Sequence, residues 1–177
     1  EDLDFIKGRM QALGVQAGRM MVTPDWFEKQ NDNDDPFTAN PDGFDMDNDE
    51  MNCLFASLKV CEELGVRVTL TWWGAPAGHW LAHPNIGDWI GAPNDAEEMA
   101  ENISYLQYIR KTLGYNCVKE LIIQNEPSYS FHVEGGAVDF DLYVACYKAM
   151  YKRLNDMGMG DIVLVGADDS QNFGWFC

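Results

Sequence analysis

The sequence predicts an α/β protein in which the strands run parallel in one sheet and the helices pack outside it. Helical and strand-like patterns alternate along the whole chain, helix first. Such alternation implies right-handed crossovers and a parallel sheet. Each strand-like stretch also ends in polar or aromatic residues: Asp25 and Trp26, Trp72 and Trp73, Asn125 and Glu126, Asp168 and Asp169. Parallel strands point the same way, so these four ends should share one rim, the edge where α/β folds bind ligands. No GxGxxG or GxxxxGK follows any strand, which argues against a nucleotide-binding fold. The patterns alone leave two architectures open, a small doubly wound sheet and part of a (β/α)8 barrel.

The elements follow in order. Phe5, Ile6, Met10 and Leu13 form a partial helical stripe over 2–13, with Gly14 a fitting stop. Residues 15–22 read as a strand that contains Arg19, a cation that belongs on a rim or beside a carboxylate. A long acidic connection runs over 25–45, a length usually reserved for functional loops. Asp47 and Glu50 resemble a capping box, after which Met51, Leu54, Phe55, Leu58 and Cys61 recur at helical spacing until Gly65. Residues 66–72 form the second strand. Asn94 and Glu97 repeat the capping pattern for a helix through Met99, Ile103, Leu106 and Leu113, ending at Gly114. The third strand is read at 121–124, and Pro127 ends its pairing because proline has no N–H to give a ladder. Asp139 or Asp141 opens a last helix that carries Leu142, Cys146, Ala149 and Met150 and stops near Gly158. A fourth strand occupies 162–167.

Composition sets the outer bounds. A chain of 177 residues, 46% hydrophobic and 12% aromatic, fits a single domain over 1–177. A net charge of −17 lacks the basic footprint that a nucleic-acid partner requires. No apolar run is long enough to span a membrane, and no basic-then-apolar leader opens the chain. The absence of an initiator Met reads as a mature or excised segment. The five cysteines form no CxxC pair; Cys53, Cys61 and Cys146 fall in helical patterns and are expected to be core thiols. Asp32, Asp34 and Asp35, then Asp45, Asp47 and Asp49, invite calcium but lack the EF-hand spacing, so they read as turns and caps. His79 and His83 are four apart, but Pro84 and nearby glycines disfavour a helix there. The motifs thus call for no metal and no cofactor.

The chemistry concentrates in Asn125 and Glu126. A carboxylic acid on the rim beside a side-chain amide suits proton transfer to a leaving oxygen, with the amide orienting a sugar hydroxyl. The plainer reading of Asn-Glu-Pro is a turn with a solvated glutamate. Trp73 is placed to stack on a sugar ring, and strand parity sends Trp72 outward into the helix layer. His79 and Asp168 are further candidates for shaping a sugar site. Trp26, Trp80, Trp89 and Trp175 either line subsites or pack loops.

The run Leu-Ile-Ile-Gln-Asn-Glu-Pro at 121–127 resembles the fourth-strand signature of retaining (β/α)8 glycoside hydrolases, the clan of cellulases, mannanases and β-xylosidases. Gly-Val-x-x-x-Arg at 14–19 looks like the second strand of that clan, and Val-Thr-Leu-Thr-Trp-Trp-Gly at 68–74 is similar to its third. The resemblance implies an incomplete parallel TIM barrel, about strands 2 to 5 with their helices. It makes Glu126 the general acid/base, Asn125 the contact to the sugar 2-hydroxyl, and Arg19 a support for the catalytic carboxylates. The implied activity is hydrolysis of O-glycosyl bonds in a β-linked polysaccharide or oligosaccharide, in a secreted or extracellular setting. The clan carries its nucleophile on the seventh strand, which this alignment does not reach. The chain therefore reads as a segment, inactive alone, whose partners are the carbohydrate and the remainder of the same barrel. Two other classes fit the same rim: a non-catalytic carbohydrate-binding barrel and a metal-dependent α/β hydrolase.

Overall fold

The computed structural model describes residues 2–23, 26–28, 41–72, 100, 102–123, 125–126 and 140–166. Helix α1 (Asp2–Leu13) leads into β1 (Ala17–Val22), and α2 (Asp49–Leu64) into β2 (Arg67–Trp72). A 3-10 turn (Asn102–Tyr105) and a π-helical turn (Tyr108–Thr112) precede β3 (Val118–Ile122). Helix α3 (Phe140–Asp156) precedes β4 (Val163–Leu164).

All strand pairs are parallel, and their spatial order β1-β2-β3-β4 is the order of the chain. A doubly wound sheet reverses its strand order at a switch point. Here there is no reversal among the described strands, and same-handed crossovers keep every helix on one side. This singly wound arrangement is that of an incomplete α/β barrel.

Side-chain alternation agrees. Val22 from β1, Val68, Leu70 and Trp72 from β2, and Leu121 with Ile123 from β3 join one core with Leu54 and Leu58 of α2 and Cys146, Met150 and Leu154 of α3. Complete burial of a side chain such as Leu70 contributes about 1.5–3 kcal/mol. The alternate residues Arg19, Thr69, Thr71, Glu120 and Ile122 lie outside that core, on the opposite face. In β3 the register slips between Val68 and Thr69, leaving Lys119 without a counterpart in β2. The slip keeps Glu120 and Ile122 on the face of Thr69 and Thr71, and a bulge of this kind re-aims side chains.

The helix stops fall where expected: Gly14, Gly65, Gly114 and Gly158 all have positive φ. Several other expectations need correcting. The cap of α2 is Asn48, not Asp47: Asn48 Oδ1 accepts from the Met51 N–H at 2.9 Å, and its Nδ2 donates to the carbonyls of Trp26 and Asp45. The segment before β3 is not a regular α-helix, although Ile103, Leu106 and Ile109 are buried. Strand β3 begins three residues earlier than 121 and ends at Ile122. Its polar Lys119 and Glu120 are not outside the strand but are satisfied laterally, by Asp161 and Thr69. Strand β4 is only two residues long, extended by a Val165 N–H to the Leu121 carbonyl at 2.9 Å. Cys53 is exposed, whereas Cys61, Cys117 and Cys146 are buried and not in disulfides. Burial pushes the Cys117 thiol up to about 12, with Glu62 adding to the shift, so it stays protonated and inert.

Candidate functional site

The site is built where β3 stops pairing. Beyond Ile122 the chain bends, and the Asn125 N–H returns to the sheet by donating to the Trp72 carbonyl at 2.8 Å. That bond fixes Asn125 at the carboxyl end of β2. Glu126 follows with φ of 46°, the left-handed region, and is the single non-glycine residue with positive φ among those described. A side chain there costs about 1–2 kcal/mol, which a protein tolerates where surrounding structure enforces it.

Arg19 approaches from two strands away. Its register partner is Thr69, so it shares a face with Thr69 and Thr71. Its Nε donates to Thr71 Oγ1 at 2.8 Å and its Nη2 to Asn125 Oδ1 at 2.8 Å. One guanidinium thereby bridges β1, β2 and the end of β3. One layer nearer the amino ends, Thr69 Oγ1 donates to Glu120 Oε2 at 2.6 Å, and Arg67 Nε lies 3.4 Å from Glu120 Oε1. The inner face is thus polar in successive layers.

The helix side holds this rim in place. Trp72 is fully buried in the helix layer beside Tyr105, as strand parity predicts. Burial drives the Tyr105 phenol upward, the nearby Trp72 indole opposing the shift, so Tyr105 remains neutral. Phe27 stacks on Tyr105 with centroids 4.9 Å apart. Behind β4, Tyr143 donates to Tyr147 at 3.0 Å and Tyr147 to the Val165 carbonyl at 2.5 Å, which anchors the strand end.

Of the residues singled out from sequence, Arg19 and Asn125 are joined by a hydrogen bond, and Glu126 follows Asn125 in the chain. Trp73, His79 and Asp168 lie outside the described residues, as do Asp169, His83, Trp80, Trp89 and Trp175. Trp26 sits in the turn after β1, its carbonyl accepting from Asn48. It helps line a cleft of about 400 Å³ with Met20, Met21, Cys53 and Leu54, and neither Asn125 nor Glu126 borders that cleft. Asp45 and Asp47 serve as turn and helix-end acceptors, for the Asp47 N–H and for Asn52 Nδ2. No group of three or more potential ligands among the described residues is arranged to hold a metal.

Two residues escaped sequence reasoning. Thr71 is fully buried and polar, and its signal was the alternation Arg67, Thr69, Thr71 against Val68, Leu70, Trp72. Glu28, 2% exposed, is a buried carboxylate on the loop after β1. The adjoining apolar pair Trp26 and Phe27 was its only hint.

No protein-family model matches the sequence, and no curated protein matches it significantly. Solved structures do. The chain is similar to a family 39 glycoside hydrolase from the gut symbiont Bacteroides cellulosilyticus WH2, with 15% identity and a TM-score of 0.59 over 93% of this chain. It is similar also to a hyperthermostable endocellulase, with 16% identity and a TM-score of 0.51 over 93% of this chain. The chain spans 28% of the first protein and 45% of the second, so the shared architecture is part of a larger barrel.

Proposed function

We propose that this chain is the acid/base segment of a retaining glycoside hydrolase that cleaves O-glycosyl bonds in a β-linked polysaccharide or oligosaccharide. The observation that carries the reading is the pairing of Glu126, on a left-handed backbone at a parallel strand end, with an Asn125 already oriented by Arg19. The likeness in fold to a glycoside hydrolase and an endocellulase supports it. Glu126 protonates the glycosidic oxygen as the bond breaks and then takes a proton from the incoming water. Asn125 holds the sugar hydroxyl beside the reacting carbon, and Arg19 holds Asn125. Retention also needs a second carboxylate about 5–5.5 Å from the first. In this reading it comes from the remainder of the barrel, outside these 177 residues. Trp73, His79 and Asp168 complete the sugar-binding rim, and the setting is extracellular.

The test is turnover by the protein that contains this segment. Glu126→Gln should lower hydrolysis of natural β-linked oligosaccharides by about 10²–10⁴-fold, the usual contribution of a positioned acid/base. Substrates with activated leaving groups should lose far less, because they need no proton. Unchanged hydrolysis would refute the assignment. Robust turnover by the 177 residues alone, abolished by the same substitution, would show that the second carboxylate lies within them. Binding that survives Glu126→Ala in a parent without turnover would mark a carbohydrate-binding barrel, and loss of activity on chelation a metal-dependent hydrolase.

A further inference from the structure

We infer that Thr71 is a positioning residue for this site: its buried hydroxyl fixes the Arg19 guanidinium and, through it, the orientation of the Asn125 amide. The inference rests on the glycosidase reading only for the ligand it names. Thr71 is fully buried, so its β-branched side chain is closely packed where it meets Arg19. It accepts from Arg19 Nε at 2.8 Å, and Nε is the donor nearest the flexible stem. Fixing Nε fixes the plane of the guanidinium and aims Nη2, which meets Asn125 Oδ1 at 2.8 Å. The Asn125 main chain is tied independently to Trp72, the residue after Thr71. Backbone and side chain of Asn125 are therefore both referenced to the end of β2.

The chemistry of the donor decides what Asn125 offers a ligand. A guanidinium only donates, so Asn125 must turn its oxygen to Arg19 and its Nδ2 the other way. Position 125 is thus set as a donor, and the ligand atom it selects is an acceptor oxygen, such as a hydroxyl oxygen of a sugar. Were the amide reversed, two donors would face each other.

The experiment follows the Arg19 Nε–H and the Asn125 side-chain amide by NMR in the protein that contains this segment. Thr71→Val should speed exchange of the Arg19 Nε–H about tenfold, the equivalent of one hydrogen bond. It should also move the Asn125 amide signals, while Thr71→Ser, which keeps the hydroxyl, should match the parent in both. Unaltered exchange in Thr71→Val, or equal changes in Thr71→Ser, would overturn the assignment. Should Thr71→Val fail to fold, Arg19→Lys replaces it: lacking the fork, it should move the Asn125 signals, and unmoved signals would refute the linkage. Titration with cellohexaose and xylohexaose provides the separate arm. Asn125→Asp keeps an acceptor toward Arg19 but removes the donor, so it should weaken binding at least tenfold while leaving Arg19 Nε–H exchange no faster than in the parent. Undiminished affinity would overturn the donor role. If the unsubstituted protein that contains this segment binds neither sugar, the assignment of Asn125 to a β-glucan or β-xylan site falls, and the exchange rates still decide the linkage.

Discussion

The two ends of the sheet use the same backbone conformation for different purposes. At the amino ends of the strands, the left-handed conformation falls four times on glycine: Gly14, Gly65, Gly114 and Gly158, each just before a strand. At the carboxyl ends it falls on Glu126. Glycine adopts that conformation without strain, whereas glutamate does not. The charges divide in the same way. Near the amino ends, Arg110, with its side chain 8% exposed, meets Asp161 and Asn116, and Glu62 accepts from the N–H groups of Asn116 and Cys117 at 2.7 and 2.6 Å. Near the carboxyl ends, the exposed Arg19 is spent on orienting an amide beside the strained glutamate. In barrels of this kind the first end serves stability and the second serves chemistry.

Substitutions at each end sharpen the contrast. The largest stability loss should come from Glu62→Ala, which leaves two main-chain donors without their carboxylate. We expect about 2 kcal/mol by urea unfolding, and a loss below experimental error would show that water replaces Glu62. The glycine and glutamate substitutions should then move stability in opposite directions. Gly65→Ala meets no atom within 4 Å, so its cost is purely conformational, about 1 kcal/mol. Glu126→Gly should raise stability by about 0.5–1 kcal/mol while removing the acid. A Glu126→Gly protein less stable than its parent would show that the contacts of the Glu126 side chain outweigh the strain of its backbone.

How much of this could be read from the sequence follows the same division. The four glycine stops were legible because a helical stripe ended at each, and the parallel order because helices and strands alternated. Asn125 and Glu126 were legible because an apolar strand ran into them. The limits of β3 were not: Lys119 and Glu120 look like loop residues until Asp161, before β4, meets the first and Thr69, on the polar inner face, meets the second. Asp47 and Glu50 fit the capping pattern by spacing, and only the bond from the Met51 N–H to Asn48 Oδ1, with the contacts of Asn48 to Trp26 and Asp45, makes Asn48 the cap. Thr71 was hidden for a different reason. A threonine in a β-branched strand reads as propensity, and its role exists only once Arg19 is folded against it.

The smallest effect belongs to Asp161. Its hydrogen bond to Arg110, aided by Lys119 and opposed by burial, holds its carboxyl below the ordinary carboxylate range. A depressed value means that this stabilisation is present above the unfolded pKa and disappears as pH falls through the folded one. With the Asp161 side chain 51% exposed, solvent screening leaves about 0.5 kcal/mol. Asp161→Asn should therefore be less stable than the parent at neutral pH, with the gap closing in acid. A gap that widened in acid would reverse the sign of this linkage.

The central claim, that the carboxyl ends of the strands form the sugar site, is tested most directly by mapping oligosaccharide binding onto the amide resonances of this chain. Titration with cellohexaose and xylohexaose should shift Asn125, Glu126 and the residues around Thr71 and Trp72, and leave Gly65, Asn116 and Asp161 unmoved. In the protein that contains the segment, shifts gathered at the amino ends, or none at saturating sugar, would contradict it.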